Sequence, residues 1–149
     1  MQTRPARTTD EAALAALLEE HERHYDNPLP EGAGRPGAAL LVSGRAGGPF
    51  CLVAEYAGGL AGFAILNPFF PAANLSEGLF LKELYVAARA RDQGVGEKLM
   101  AAIGAFARER GYSRVIWTTG TANRDAQRFY DRLGMRREDK VYYVMDGWA

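Results

Sequence analysis

One cysteine, Cys51, stands in 149 residues. An intramolecular disulfide is therefore excluded, and a cysteine-based zinc site has no ligands to draw on. Histidine is almost as scarce. His21 and His24 are the only two, and no further ligand at metal-site spacing accompanies them, so no metal is expected. Net charge is also lacking: 18 basic residues balance 18 acidic ones. Without a basic excess there is no electrostatic footprint for a nucleic-acid partner. No stretch approaches the roughly 20 apolar residues that span a bilayer, so no membrane partner is expected. The first ten residues are polar and hold no signal-peptide core, which points to a cytoplasmic location. Internal repeats and long low-complexity tracts are missing as well.

What is present is a core. The chain is 48% hydrophobic, a composition of folded proteins. Its length suits one domain, residues 1–149, able to bury about two-thirds of its unfolded surface. The pattern opens with a short strand at Gln2 to Arg4. A helix follows, with Thr8 and Glu11 as a capping box, and Leu14, Leu17, Leu18, His21 and Tyr25 on one face. Asn27 to Gly48 is rich in Gly and Pro and reads as loop, apart from a brief helix at Ala38 to Val42. Phe50 to Tyr56 and Leu60 to Asn67 form a hairpin around Ala57-Gly58-Gly59. Leu79 to Val86 is a third long strand, apolar at odd and even positions, as in a strand covered on both faces. A long helix spans Gly94 to Arg110 and is stopped by Gly111. Then come a strand at Ser113 to Thr118, a helix at Asn123 to Leu133 ended by Gly134, and two closing strands, Met135 to Glu138 and Val141 to Met145. The sum is an α/β domain with a mixed sheet.

The most informative stretch is Arg91-Asp92-Gln93-Gly94-Val95-Gly96-Glu97. It follows a buried strand and opens an amphipathic helix. Two glycines one residue apart let the backbone come close to a ligand. The first amides of a helix lack intrahelical acceptors, and with the helix dipole they favour phosphate. A dinucleotide fingerprint fails, because the third small residue it requires is Leu99; the Walker Gly-Lys-Ser/Thr is absent. On spacing alone, a plain strand-to-helix turn shaped by glycine stays open beside the phosphate reading.

With these residues on the page, the chain resembles the GNAT acetyltransferase superfamily over nearly its whole length. Leu81-Lys82-Glu83-Leu84-Tyr85-Val86 is similar to the family's central strand. Arg91 to Gly96 matches its Arg/Gln-x-x-Gly-x-Gly/Ala motif. Asn123, Ala126, Phe129, Tyr130, Leu133 and Gly134 match a later block. Around Glu83 to Val86 the resemblance is greatest to the small-amine and diamine acetyltransferases. It implies a mostly antiparallel mixed central sheet flanked by helices, acetyl-CoA as cosubstrate, and a homodimer. It further implies that Leu84, Tyr85 and Val86 pair with the pantetheine arm, with an amide at Tyr85 or Val86 polarising the thioester carbonyl. The amides of Asp92, Gln93, Gly94, Val95, Gly96 and Glu97, beside Arg91, would hold the pyrophosphate. Asn123 would meet the pantetheine or a bridging water, and Tyr130 would face the sulfur.

The chemistry explains why such residues are needed. A lysine-like amine with a pKa of about 10.4 is a free base for only roughly 0.04% of the time at pH 7. A proton must leave it, an oxyanion must be stabilised, and the thiolate benefits from an acid. Tyr130 is the candidate acid, with a core role on its helix stripe as the alternative. Glu83 is the candidate base, its pKa raised by partial burial, unless it is spent in an ion pair or a water chain takes its place. His21, His24 and Tyr25 are candidate acceptor-site residues with Glu83; the two histidines are otherwise surface residues. Glu19, Glu20, Glu22, Asp26 and Glu31 form either a solvated helix face or a lip that attracts cations. Phe69 and Phe70 are set to wall the acceptor pocket, cover the core or meet a subunit, and Cys51 reads as a small buried residue. The leading expectation is acetyl transfer to a small primary amine by direct attack in a ternary complex. A peptide or protein acceptor, and a non-catalytic acyl-CoA-binding module, are the alternatives.

Overall fold

The computed structural model describes residues 1–148 and divides into two compact units, Met1–Thr118 and Thr119–Ala149. The first holds a five-stranded sheet in sequence order: β1 (Gln2–Pro5), β2 (Phe50–Tyr56), β3 (Gly59–Phe69), β4 (Gly78–Val86) and β5 (Val115–Ile116). The first three pairings are antiparallel and β4 with β5 is parallel, so the sheet is mixed and mostly antiparallel, as expected. Helices α1 (Glu11–His24), α2 (Arg35–Val42) and α3 (Val95–Glu109) pack on it. The second unit contains α4 (Arg124–Arg132).

Alternation along the strands sorts the core. Cys51, Val53, Phe63 and Tyr85 join Leu14, Leu17, Ala38 and Leu41 of α1 and α2 in one buried cluster. Val95, Leu99, Ile103 and Phe106, four positions of the α3 stripe, are buried as well. Gly62 of β3 lets α3 close on the sheet. A Cβ there would lie 2.6 Å from the Tyr85 carbonyl oxygen and 3.2 Å from a Leu99 methyl.

Four expectations need correction. The Thr8–Glu11 capping box does not form. Thr8–Asp10 is a 3-10 turn, and Asp10 accepts the Arg7 amide at 2.7 Å while Arg4 grips its carboxylate. Asp10, in the first turn of the sequence pattern, caps this turn itself because Arg4 of β1 and the Arg7 amide hold its carboxylate. The strand from Ser113 to Thr118 shrinks to Val115–Ile116, because only Leu79 and Phe80 of β4 are opposite it. Among the described residues, Met135 to Glu138 and Val141 to Met145 form no strands, although their side chains have the right pattern. A strand exists only where a partner strand is in register, which a periodicity cannot report. Finally, the acidic run is not one solvated face: Glu19 is buried and accepts the Gly34 amide at 2.9 Å. Among the described residues no helix is long and apolar enough to cross a membrane.

Candidate active site

Strand β4 is central to the site. On one side it pairs with β3 through Val86. On the other it pairs with β5 only at Leu79 and Phe80. Among the described residues, no strand lies beside that edge beyond Phe80. The register steps from Leu66↔Leu81 to Ile65↔Glu83, so Lys82 is an extra residue and β4 carries a bulge. Bulges bend a strand and re-aim its side chains next to functional sites. Ala87 donates its amide to Ala61 on β3 at 2.8 Å. Main-chain groups alternate sides along a strand, so those of Val86 turn to the open edge. Arg91 Nε donates to the Val86 carbonyl there at 3.3 Å, with its guanidinium 5.8 Å from the centre of the Tyr85 ring.

The open edge of β4 leads, through Ala87 and a short 3-10 turn at Ala88–Ala90, to the mouth of α3. Gly94 caps that helix with φ at +78°, and no heavy atom comes within 4 Å of where its Cβ would stand. Glycine is needed there for its left-handed backbone, and the space left open beside it is that of a main chain a ligand can approach closely. The Lys98 amide donates to the Gly94 carbonyl at 3.1 Å, which sets the first turn of α3 directly after the capping glycine, where a helix presents its N-terminal amides outward. Arg91, Asp92, Gln93, Gly94 and Glu97 are exposed, Gly96 is half-buried, and Val95 anchors the turn in the core. Tyr56 donates to Gln93 Oε1 at 3.2 Å, tying the loop to the end of β2.

The acceptor candidates gather around the outward bend of β4. His21 Nε2 lies 3.0 Å from Glu83 Oε2, and its Nδ1 lies 3.4 Å from Glu22 Oε1. Lys82 Nζ is 3.2 Å from the other Glu83 oxygen. His21 is buried, at 6% exposure, with its ring against Tyr25, Phe63 and Tyr85. It is therefore not a surface residue. His24 and Tyr25 are exposed, and their rings contact each other and, for His24, Tyr85. Burial would raise the Glu83 carboxyl, but the hydrogen bond and charge of His21, with Lys82, outweigh it and hold it below its ordinary value. The expected rise is thus reversed, and Glu83 is in an ion pair. Burial, followed by a hydrogen bond to Glu20, pushes the Tyr85 phenol up to about 12. Burial pushes the Cys51 thiol to about 12 as well, which leaves it an inert core residue.

Two sets of contacts escaped the sequence reading. Glu20 accepts both the Tyr85 hydroxyl at 2.9 Å and the Ala88 amide at 3.1 Å, joining α1 to the far end of β4. That of Tyr56 with Gln93 is the other. Each is a long-range pairing, and neither has a sequence signal beyond a charge or a ring in the right element. In the second unit, Asn123 caps α4, its Oδ1 accepting the Ala126 amide at 3.2 Å. Tyr130 is half-buried on α4, with its ring 5.2 Å from Phe129. Among the described residues no group of three or more His, Cys, Asp or Glu is placed to hold a metal ion.

A mixed sheet whose fourth strand runs on past its short fifth and leads to a glycine-capped helix mouth is shared with a probable acetyltransferase of known structure and puts the chain in the class of acyl-CoA-dependent transferases. It belongs to the Acetyltransferase (GNAT) family, whose model matches residues 14–135. The uncharacterized N-acetyltransferase YhfO of Bacillus subtilis (strain 168) is 28% identical over 98% of this chain and 97% of its own. The D-amino-acid N-acetyltransferase HPA3 of Saccharomyces cerevisiae is 34% identical over 61% of this chain and 56% of its own. A crystal structure of a probable acetyltransferase superposes with a TM-score of 0.87 at 25% identity, covering all of both chains. The protein is an N-acetyltransferase, and acetyl-CoA is its cosubstrate.

Proposed function

We propose that this enzyme, acting in the cytoplasm as one catalytic domain, moves acetyl from acetyl-CoA to a primary amine of a small molecule by direct attack in a ternary complex. The observation that carries the reading is the open edge of β4 with the half-exposed Glu83 carboxylate on the same strand. On this reading the pantetheine arm lies along Leu84, Tyr85 and Val86 as an added strand. Its carbonyl and amide groups would meet those of Val86, and Arg91 would exchange the Val86 carbonyl for the pyrophosphate. The diphosphate would sit on the amides from Asp92 to Glu97, where the helix dipole favours negative charge. The acceptor ammonium would approach Glu83, flanked by His21, His24 and Tyr25, and a carboxylate held ionised suits it as a counter-ion. Tyr130 would protonate the departing thiolate, and Asn123 would serve the pantetheine arm through its remaining polar atoms.

The acceptor class draws support from relatives that carry small amine acceptors in their names, such as the D-amino-acid enzyme above. A homodimer belongs to the same reading. Val141, Tyr142, Tyr143, Val144, Met145 and Trp148 are exposed in the second unit, and a run of large apolar side chains left exposed suits a subunit contact better than a solvated surface. The test of the acceptor is thiol release from acetyl-CoA with polyamines, amino acids, aminoglycosides and peptides in turn. Release with a small amine and none with peptides is expected. Release with peptides alone would replace the small-molecule acceptor by a protein one.

A further inference from the structure

A regular strand sends neighbouring side chains to opposite faces of its sheet. Lys82 and Glu83 depart from that rule. Tyr85 and Glu83 stand opposite Phe63 and Ile65, which pack toward α1, whereas Leu81 stands opposite Leu66 on the other face. Lys82 is the extra residue of the bulge between them, and its ammonium ends 3.2 Å from Glu83 Oε1. The bulge therefore sets a cation and an anion, adjacent in sequence, side by side on the face that carries His21. Both are open to a solute: the Lys82 side chain is 58% exposed and that of Glu83 32%. An ammonium has three N–H donors, and the contact with Glu83 engages one of them.

The neighbouring charges decide what such a pair suits. A polycation needs a lip of free carboxylates, and the acids of α1 do not supply one. Glu19 accepts the Gly34 amide, and Glu20 accepts the Tyr85 hydroxyl and the Ala88 amide. Glu22 lies 3.4 Å from His21 Nδ1 and accepts the Asn27 side-chain amide through its other oxygen. Glu83 has a neighbour on each oxygen, His21 Nε2 at 3.0 Å and Lys82 at 3.2 Å. Burial works against its charge, and His21 with Lys82 outweighs burial and holds it ionised. A carboxylate has about four lone-pair sites, so two neighbours leave room for a substrate ammonium.

We propose that the acceptor is a free α-amino acid, acetylated at its α-nitrogen, with its ammonium on Glu83 and its carboxylate on Lys82. The proposal rests on the reading of Glu83 as the acceptor-side carboxylate. In such a zwitterion the nitrogen and a carboxylate oxygen are three bonds apart, roughly 3 Å at ordinary bond lengths. The Lys82–Glu83 contact at 3.2 Å presents the opposite charges at a matching separation. The four charges then alternate around a ring. A simple amine leaves Lys82 without its anion, and a diamine brings a second cation beside it. In the transfer the nitrogen bonds to the acetyl carbon and the thioester C–S bond breaks. Of the two protons the ammonium loses, one ends on the coenzyme A thiol and one in solvent. The product is an anion, which Glu83 now repels, so release is favoured. Lys82 meets only the substrate carboxylate and is a specificity residue.

The test compares thiol release from acetyl-CoA for L- and D-amino acids, for the amine each leaves on decarboxylation, and for its α-carboxamide. For the wild type, kcat/KM with the amino acid should exceed that with either analogue by roughly 10- to 10²-fold, the range of one hydrogen bond to a charged group. In Lys82→Gln this ratio should fall toward one. In Lys82→Glu it should invert, with 1,4-diaminobutane becoming a better acceptor than any amino acid. Because a ratio is read, general loss of activity in a variant does not imitate the effect. A wild type indifferent to the carboxylate, or a ratio unchanged in both variants, overturns the amino-acid proposal alone. Undiminished release in Glu83→Gln, or none from the wild type with any amine, overturns the acceptor reading and the proposal with it.

Discussion

Asp10 shows how a single side chain joins local and global structure. Its carboxylate accepts the Arg7 amide at 2.7 Å and a two-pronged grip from Arg4 at 2.7 and 2.9 Å, while Arg4 also reaches Glu55. The Arg4 guanidinium holds the Asp10 carboxyl below the usual carboxylate range. A depressed carboxyl stabilises the fold fully above the unfolded value of about 3.9 and loses that contribution as pH falls through the folded one. Asp10→Asn is therefore expected to lower stability by about 1–3 kcal/mol at neutral pH, with Glu55 still paired to Arg4. Urea melts should show the deficit constant above about pH 4 and shrinking in stronger acid. Tyr130 is the residue on which the departing thiolate depends in the proposed chemistry. Tyr130→Phe should lower turnover by roughly 10²–10⁴ with little change in coenzyme A binding. Wild-type turnover at all pH values would remove it from the mechanism. Both candidates, Tyr130 and Glu83, were visible in the sequence through motif position. The sign of the Glu83 shift was not, since it turns on His21, 62 positions away and on a different element.

At the scale of elements, helices and hairpin strands were legible because their signals are local. Leu14, Leu17 and Leu18 recur at helical spacing, and α1 ends at His24, before Pro28. Gly111 and Gly134 follow α3 and α4 with positive φ, as stop signals should. The strands that failed were those whose existence depends on a partner. After Phe80, just before the bulge at Lys82, β4 and β5 part, and β5 is two residues long. The same departure opens the edge assigned to the pantetheine arm, so the lost strand and the binding edge have one cause. Gly94 is the element's most sensitive joint. A side chain in a left-handed conformation costs about 1–2 kcal/mol, so Gly94→Ala should lower stability by that amount. As the loop relaxes, coenzyme A should bind about tenfold more weakly, equivalent to about 1.4 kcal/mol. Isothermal calorimetry with an unchanged helical circular-dichroism spectrum would establish this. Undiminished affinity would mean that the helix mouth does not hold the diphosphate.

For the whole molecule, cosubstrate binding should appear as stability. Coenzyme A at about 100 times its dissociation constant should add about 2.7 kcal/mol through mass action. Differential scanning fluorimetry reads this directly, and a melting temperature indifferent to coenzyme A would remove the assignment of Asp92 to Glu97. The proposed dimer predicts a sedimentation mass of twice the chain. A monomer at micromolar concentration would leave the exposed 141–148 segment without the role given to it.

Composition and pattern by themselves determined the class of fold, the order of most elements, the glycine-capped helix mouth and, through resemblance, the family. Each of these is encoded within a few consecutive residues: a period, a cap, a motif. Only the tertiary structure decided that His21 is buried against Glu83, that Glu20 ties α1 to β4, and that the Glu83 carboxyl is held down rather than raised. Those facts depend on which distant side chains share a desolvated space, and burial acts on a charge with a sign set by the partner it finds there.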